Sequence, residues 1–380
     1  MSKHLDTIHF IREQFPGKDF VSLHEPKFNG NEKAYLLETI DSTYVSSVGP
    51  FVDKFEEMMK GLSGTLKSVG VVNGTSALQV SLRLVGVNSG DEVITQALTF
   101  VATVNAILYN NAQPIFIDVD LDTMGLSPRA MSTFLDEFGE MRNGYCYNKK
   151  TNKKIAACMP MHTFGFPVHL EELIEVCDHW NIPMVEDAAE AMGSEYKGRP
   201  VGSFGKMGVF SLNGNKIITS GGGGIIVTND SELGAKAKYL TTTAKQSHPY
   251  EYVHDEIGYN FRMPNVNAAL ACAQLEQLNI FLADKRSLAF EYRSYFEEKG
   301  INFRVEPAHA KANYWLMCIQ LENKKDRDLF LKETNDNGIM TRPIWQLIFK
   351  SDPYAKFQKD DQKNALFLEE RIVNIPSSVR

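Results

Sequence analysis

Short apolar segments alternate with helical segments between about residue 67 and residue 230. Apolar runs that are typical of buried strands occupy residues 68–72, 92–96, 114–119, 155–161 and 182–186. Apolar positions with helical spacing follow three of these runs, at residues 76–86, 100–111 and 169–180. This pattern predicts an α/β fold, with a largely parallel sheet that helices cover on both faces. Because ligands of such sheets bind beyond the carboxyl ends of the strands, the residues after each run are the candidates for chemistry.

The alternation weakens after about residue 241. A polar and aromatic stretch at 247–265 leads into a strong helical segment at 267–300. A strand-like run at 312–321 then precedes a helical segment at 326–338. The pattern predicts two domains: a large α/β domain over residues 1–245, which includes the N-terminal segment, and a smaller α+β domain over residues 246–380.

Composition and charge narrow the classes of partner. The formal net charge of −7 argues against a surface that binds nucleic-acid phosphates. The five cysteines are widely spaced and form no CxxC pair, which favours reduced thiols, and no metal site is predicted. Residues 1–20 lack the apolar core of a signal peptide, and no apolar run approaches membrane-spanning length. We therefore expect a cytoplasmic protein with neither a membrane nor nucleic acid as partner.

A lysine followed by a glycine run is the most informative local feature. Lys216 stands five residues after Ser211, and four consecutive glycines follow at 221–224. Such a run costs conformational entropy on folding. It indicates either a glycine-rich hairpin turn with a surface lysine, or a lysine that reaches a carbonyl carbon beside a backbone kept bare for a cofactor. The run alone favours the turn.

Asp187 follows the apolar run at 182–186 and precedes two alanines. A carboxylate beside a small, flat surface suits a pyridinium nitrogen, because it keeps the ring protonated. Asp187 is also suited to cap a following helix, or to bind a metal together with Glu186 and Glu190. No further cluster of histidine or aspartate supports the metal site.

A third feature, Gly74-Thr75-Ser76, begins the helical segment after the first apolar run. Backbone N–H groups at a helix N-terminus bind phosphate, although a cap without a ligand is the commoner explanation. Asn73 to Thr75 also matches a glycosylation sequon, but no other feature indicates secretion. The glycine fingerprints of P-loop and dinucleotide-binding proteins do not occur. Together, the phosphate loop, the aspartate and the lysine form the set that pyridoxal-5′-phosphate (PLP) chemistry requires.

With these motifs the chain resembles the DegT/DnrJ family of PLP-dependent nucleotide-sugar aminotransferases, whose fold is that of aspartate aminotransferase (fold type I). The motifs are NGTSAL, TFVATVNAI, EDAAEAMGS, SLNGNK with the glycine run, and GYNFRMPNVNAAL, and the resemblance extends from about residue 24 to residue 378. It implies that Lys216 is the catalytic Schiff-base lysine. It also implies these cofactor contacts: Asp187 at the ring nitrogen, Gly74, Thr75, Ser76 and Ser211 at the phosphate, Phe100 and Ala189 on the ring faces, and Asn260 at a phosphate across a homodimer interface.

One position departs from the family pattern. The family commonly has Gln or His three residues after the aspartate, where the side chain meets the phenolic oxygen of the cofactor. This chain has Glu190 there. Because a carboxylate repels a phenolate, we expect Glu190 to be protonated, turned away or paired with a donor.

A narrower resemblance concerns the substrate. LHEP at 23–26, MHTFG at 161–165, TRPIW at 341–345 and NIPSS at 374–378 resemble the branch that aminates carbon 4 of UDP-4-keto-6-deoxy-N-acetylglucosamine, on the route to N-acetylbacillosamine and legionaminic-type sugars. Glutamate is the usual amino donor of the family, and the cofactor alternates between PLP and its aminated form (PMP). The candidate substrate-binding residues, each with an ordinary structural alternative, are Lys27, His162, His248, Arg262 and Arg342.

Three other functions remain open on sequence. The substrate of the transamination is a GDP-linked 4-keto-6-deoxy sugar if the chain is of the perosamine type. A related class uses PMP to dehydrate sugars, but its members replace the lysine with histidine. A non-catalytic PLP-binding regulator shares the fold, since a fold does not fix a function.

Overall fold

The computed structural model describes residues 3–380. Its α-helices are α1 Leu5–Gln14, α2 Glu32–Asp41, α3 Pro50–Ser63, α4 Gly74–Leu84, α5 Val101–Tyr109, α6 Pro128–Phe138, α7 Leu170–His179, α8 Ser231–Thr241, α9 Asn265–Glu298, α10 Lys324–Asp336 and α11 Lys363–Glu369. Several begin at a polar side chain that accepts a backbone hydrogen bond, as Asn73 does before α4 and Asp230 before α8. These caps satisfy N–H groups that have no partner inside the helix.

The strands are β1 Lys67–Val71, β2 Glu92–Gln96, β3 Gln113–Ile117, β4 Gly139–Arg142, β5 Tyr145–Asn148, β6 Lys153–Cys158, β7 Val185–Asp187, β8 Glu195–Tyr196, β9 Arg199–Pro200, β10 Met207–Ser211, β11 Gly224–Thr228, β12 Asn302–Phe303, β13 Ala310–Lys311, β14 Met317–Gln320, β15 Arg342–Pro343 and β16 Ile372–Ile375. Short 3₁₀ turns occupy Thr163–Gly165, Ile348–Lys350 and Asp352–Tyr354. The five predicted strand segments correspond to β1, β2, β3, β6 and β7.

The main sheet has the strand order β3-β2-β6-β7-β10-β11-β1. Isolated parallel bridges, Cys158 to Met184 and Met161 to Asp187, join β6 to β7. β11 runs antiparallel to both of its neighbours, whereas the other neighbouring strands pair in parallel. The sheet is therefore mainly parallel, as the apolar runs predict.

The C-terminal part contains a four-stranded antiparallel sheet, in the order β12-β14-β16-β15. The N-terminal segment packs against this part: the Phe10 ring stacks on Tyr295 of α9 at 3.8 Å between centroids, and Val21 bridges to Ile339. One hydrophobic core continues through both parts of the chain, so the division at residue 245 stays a prediction. In residues 3–380, no helix is both long enough and apolar enough to cross a membrane.

The carboxyl ends of β1, β2, β7 and β10 meet at one edge of the main sheet. The loop before α4, the Phe100 position, Asp187 and Ser211 lie at or just beyond these ends. β11 runs in the opposite direction, so its first residue, Gly224, lies at the same edge opposite Ser211. The sheet topology therefore gathers the candidate residues in one place.

Candidate active site

A cavity of about 600 Å³ lies at this edge of the sheet. Eight predicted cofactor residues line it: Gly74, Thr75, Phe100, Asp187, Ala189, Glu190, Ser211 and Lys216. Side chains from the C-terminal part line the opposite wall, including Trp315, Arg342, Trp345 and Asn374. The cavity is therefore built from both parts of the chain.

Lys216 lies in the connection between β10 and β11, whose ends pair at Ser211 and Gly224. Its side chain is not on the surface, because only 9% of the residue is exposed. The Nζ atom lies 3.1 Å from Glu190 Oε1 and 3.9 Å from the centroid of the Trp315 ring. The segment is thus a hairpin connection, as the turn interpretation of the glycine run predicts. Its lysine is buried in the cavity, however, as the cofactor interpretation predicts.

The glycine run lets β11 approach the loop that precedes α4. Gly221 has a φ of 78°, a conformation that favours glycine. A Cβ added to Gly224 would lie 2.5 Å from the Asn73 carbonyl carbon, which is closer than any real contact. The bare backbone at Gly224 is therefore required for the fit between β11 and the candidate phosphate loop.

Asp187 is 2% exposed, and each of its carboxylate oxygens accepts one hydrogen bond. The donors are the Thr103 hydroxyl at 2.8 Å and the Ala189 N–H at 3.1 Å. Burial raises the pKa of the Asp187 carboxyl, and these two donors oppose the shift. The first α-helix after Asp187 is α8, which begins more than forty residues later. Asp187 therefore does not cap a helix.

The neighbouring Glu186 does not point to a metal site. Its carboxylate accepts hydrogen bonds from the N–H groups of Gly202, Phe204 and Gly205, each at 2.7 Å. His162 Nε2 lies 3.2 Å from the same carboxylate, while its Nδ1 accepts the Val168 N–H. Nε2 therefore carries the N–H of the imidazole and donates a hydrogen bond to Glu186. His162 is fully buried and lies outside the lining of the cavity.

Glu190 is paired with donors at both oxygens. Oε1 contacts the Lys216 amine, and Oε2 accepts the Phe164 N–H at 2.9 Å. Burial raises the pKa of Glu190, and the charge of Lys216 opposes that shift. Of the three states expected for this carboxylate, the structure shows the one in which it has a donor.

The N-terminus of α4 forms the candidate phosphate site, but Ser76 does not take part in its lining. The Asn73 side chain accepts the Ser76 N–H at 2.8 Å, and Ser76 does not line the cavity. Gly74 and Thr75 do line it, together with Ser211, whose Oγ accepts the Asn213 N–H at 3.3 Å. The N–H of Ser76 is therefore occupied by the cap.

Of the predicted substrate residues, Arg342 alone lines the cavity. Its Nη1 donates to Asn335 Oδ1 at 2.9 Å and to the Thr341 carbonyl at 2.8 Å. Lys27 donates instead to the carbonyl of Arg380.

His248, Asn260 and Arg262 also lie outside the cavity lining in the single chain. His248 and Asn260 are exposed. Arg262 lines a separate cavity of about 240 Å³ beside Gly49 and Lys238. The roles predicted for all three stay predictions.

Sequence reasoning did not identify two residues that support the site. Thr103 lies in the first turn of α5, three residues after Phe100 in the TFVAT motif, so the sequence contained a signal for it. Trp315 donates its indole N–H to the Asn215 carbonyl at 2.7 Å, next to Lys216. It comes from a strand-like segment a hundred residues away, and no local pattern indicates that contact.

Comparison with known proteins identifies the family. Residues 26–380 match the model of the DegT/DnrJ/EryC1/StrS aminotransferase family. The chain belongs to this family. Its membership confirms three predictions: an enzyme of the transaminase class, the aspartate-aminotransferase-like fold and PLP as the cofactor.

Individual relatives match over most of their length. The putative pyridoxal phosphate-dependent aminotransferase EpsN of Bacillus subtilis (strain 168) is 36% identical over 345 residues, which cover 90% of this chain and 86% of EpsN. The GDP-perosamine synthase of Escherichia coli O157:H7 is 36% identical over 364 residues, 94% of this chain and 93% of the synthase. The structure of Helicobacter pylori PseC, an aminotransferase involved in the biosynthesis of pseudoaminic acid, is similar with a TM-score of 0.85 and 25% identity, over 94% of this chain and 93% of PseC.

Proposed function

We propose that this aminotransferase moves an amino group from glutamate to carbon 4 of a nucleotide-linked 4-keto-6-deoxy sugar, with PLP attached at Lys216. The observation that carries the proposal is one cavity that holds a buried amine, a buried carboxylate and the N-terminus of α4. Lys216 also disfavours the sugar dehydratases, whose members have histidine at this position.

The residues of the cavity fit the cofactor. Bound PLP supplies an aldehyde that combines with amines and a protonated ring that withdraws electrons. Asp187 would hold the proton on the ring nitrogen, since burial leaves its carboxylate in need of a nearby positive charge. Gly74, Thr75 and Ser211 would hold the phosphate at the start of α4. Phe100 and Ala189 both line the cavity and would contact the two faces of the ring.

Glu190 gives Lys216 a place to deliver its proton. An ammonium group is not nucleophilic, so Lys216 must lose a proton before its Nζ attacks a carbonyl carbon. Glu190 Oε1 is 3.1 Å from Nζ, within the distance that direct proton transfer requires. The raised pKa of the buried Glu190 carboxyl favours its acceptance of that proton. Lys216, once free as an amine, is the base that would move a proton between the donor's α-carbon and the cofactor.

The preferred substrate is UDP-4-keto-6-deoxy-N-acetylglucosamine, as the LHEP, MHTFG, TRPIW and NIPSS segments suggest. Each segment contributes at least one residue to the cavity lining, namely Leu23, Met161, Arg342 and Asn374, which supports a role for these segments in substrate binding. Arg342 is the candidate for the diphosphate. A GDP-linked 4-keto-6-deoxy sugar is the second candidate, because relatives that match over most of this chain are named GDP-perosamine synthase.

We further propose a homodimer with shared active sites, in the cytoplasm. The segment between α8 and α9 exposes large apolar side chains: Tyr250 and Ile257 are each 80% exposed. Exposed apolar groups of this size favour burial against another protein surface. Asn260 stands at the end of this segment, which supports its predicted contact with a phosphate in the second subunit.

The cofactor part of the proposal is tested by absorbance. The wild-type protein with PLP should show a visible band that borohydride abolishes, and Lys216→Ala should show none. Lys206→Ala is the matched control, since Lys206 stands at the opposite end of β10 and should leave the band intact. A wild type that stays colourless after PLP addition would refute attachment at Lys216.

The substrate is tested separately. The enzyme is incubated with glutamate and either the UDP-linked acetamido 4-keto sugar or the GDP-linked 4-keto-6-deoxy sugar, and 2-oxoglutarate is measured. We expect turnover of the UDP sugar. Turnover of the GDP sugar alone would replace the first candidate with the second, and turnover of neither would remove both.

A further inference from the structure

Lys285 of α9 is a fully buried lysine that the proposed chemistry does not use. Its Nζ donates to three main-chain carbonyls: Tyr314 at 3.2 Å, Trp315 at 3.1 Å, and Ser377. Within residues 3–380 it forms no ion pair, because the adjacent Asp284 is bound to Arg380. The ammonium of Lys285 thus joins the Tyr314–Trp315 segment to the C-terminal segment through carbonyl oxygens.

The segment that Lys285 holds has an unusual backbone. Tyr314 has a φ of 51°, which is rare for a bulky side chain and costs conformational energy. Asn313 supports the same turn from the other side, since its Oδ1 accepts the Trp315 N–H at 2.8 Å. Its Nδ2 donates to the carbonyls of Glu190 and Met192, each at 2.9 Å. Such a conformation persists only where surrounding contacts enforce it, and Lys285 supplies two of them.

This turn orients the tryptophan that contacts the catalytic lysine. The Trp315 indole N–H donates to the Asn215 carbonyl, and its ring lies 3.9 Å below Lys216 Nζ. A ring face at that distance attracts an ammonium group. A continuous series of contacts therefore runs from Lys285 through the Trp315 main chain and ring to Lys216.

We propose that Lys285 is a positioning residue for Lys216: by holding the strained Tyr314–Trp315 turn, it keeps the Trp315 ring against the cofactor lysine. The effect on the cofactor rests on the proposed function, whereas the effect on Trp315 does not. The free-energy cost of burying this amine supports the proposal, because burial lowers the pKa of Lys285 to about 7. An apolar side chain would fill this position with less penalty if packing were its only role.

The experiment compares variants at both ends of the series. Lys285→Met keeps an unbranched side chain that is one atom shorter and removes every donor, whereas Lys285→Gln retains two N–H donors. Trp315→Phe keeps a ring and removes the bond to Asn215. Cys272→Ala is the matched control, because Cys272 is also buried in α9 but its thiol contacts the Phe51 carbonyl of α3 rather than the turn.

The first measurement uses the protein without cofactor. The chain has three tryptophans, so Trp180→Phe with Trp345→Phe leaves Trp315 as the single tryptophan emitter. We expect Lys285→Met to shift the Trp315 emission to longer wavelength, Lys285→Gln to shift it less, and Cys272→Ala to leave it unchanged. An unchanged emission in Lys285→Met would overturn the proposal.

The second measurement is PLP affinity, read from the borohydride-sensitive band with the native tryptophans restored. Lys285→Met should bind PLP about tenfold more weakly, as expected when the hydrogen bonds that Lys285 donates to the turn are lost. Wild-type affinity despite a shifted emission would overturn the link to Lys216. If Lys285→Met fails to fold, the PLP affinity of Trp315→Phe decides. A loss of about tenfold in affinity supports the link between Trp315 and Lys216, and wild-type affinity overturns it. A wild type without any band would refute the proposed function, while the emission would still decide whether Lys285 holds Trp315.

Discussion

Two buried carboxylates, three residues apart, differ in what each one binds. Asp187 is held by a hydroxyl and a backbone N–H, and it has no cation in contact within the described chain. Glu190 has the Lys216 amine as a partner. A buried carboxylate without a cation is costly, so Asp187 fits a ring nitrogen that brings its own charge. Glu190, in contrast, is already balanced and is suited to exchange a proton with Lys216.

Asp187→Asn should separate stability from catalysis. The pKa of folded Asp187 lies above its ordinary value of 3.8, so between those two values the folded protein binds more protons than the unfolded chain. Its stability without cofactor therefore falls as the pH rises through that window. At neutral pH, Asp187→Asn without PLP should unfold at a higher temperature than the wild type, while kcat falls at least about tenfold for want of the charged partner. Calorimetry and 2-oxoglutarate release measure the two effects. Lower stability and unchanged kcat would contradict the assignment.

Glu190→Gln should change the pH dependence of the bound cofactor. An anion beside the Lys216 nitrogen favours protonation of that nitrogen, so its removal should lower the midpoint of the pH titration of the visible band by about one unit or more. Glu195→Gln, whose carboxylate pairs with the exposed Lys311, is the control and should leave the midpoint unchanged. An unchanged midpoint in Glu190→Gln would mean that Glu190 carries no charge when PLP is bound.

At the residue scale, sequence predicted the groups to which we assign the chemistry, but not the groups that hydrogen-bond to them. Lys216 and Asp187 stand in local motifs next to glycines or alanines, so the chain itself marks them. The donors to Glu190 are Lys216 and the Phe164 N–H, which reach it only through the tertiary fold. Local sequence contains no signal for such contacts.

At the element scale, the glycine run illustrates how one segment serves two requirements. It closes the connection from β10 to β11, and it lets β11 run beside the loop before α4. Sequence alone favoured the turn, because the close approach depends on which strand lies beside β1. The pairing of β1 with β11 is a long-range contact that periodicity does not predict.

Gly224→Ala should weaken PLP binding through this contact. The added Cβ would lie 2.5 Å from the Asn73 carbonyl carbon, and backbone atoms on both sides must shift to relieve the overlap. We expect a loss of about 1–3 kcal/mol in the free energy of unfolding, with weaker PLP binding because the candidate phosphate loop moves. Gly222→Ala is the matched control, since its nearest neighbour, the Val72 carbonyl oxygen, is 3.9 Å away. Denaturant titration and PLP titration should separate the two variants; equal behaviour would contradict the role of Gly224.

At the scale of the whole molecule, the cavity is assembled from sequence-distant parts. The main sheet and its loops supply the candidate cofactor residues, while Trp315, Arg342 and Trp345 come from the C-terminal part. The alternation of strands and helices predicted the sheet, because that signal is local and repeated. On the opposite wall, sequence predicted Arg342 from the resemblance of its segment, but it did not predict Trp315, since short strands such as β15 carry only two residues of pattern.

Subunit complementation tests whether the site also extends across a dimer. Asn260 lies outside the cavity of its own chain, on an exposed segment beside apolar side chains that favour a protein contact. If Asn260 acts in the second subunit, a hybrid of Lys216→Ala with Asn260→Ala contains one site in which both native residues meet. Each variant alone should be inactive or nearly so, and the mixture, after mild unfolding and refolding, should regain 2-oxoglutarate release. Lys216→Ala mixed with Asp187→Ala is the control. Both residues line the cavity of one chain, so each site of the hybrid lacks one of them and no activity should return. Recovery from a species that light scattering shows to be monomeric, or no recovery despite exchange of subunits, would contradict the shared site.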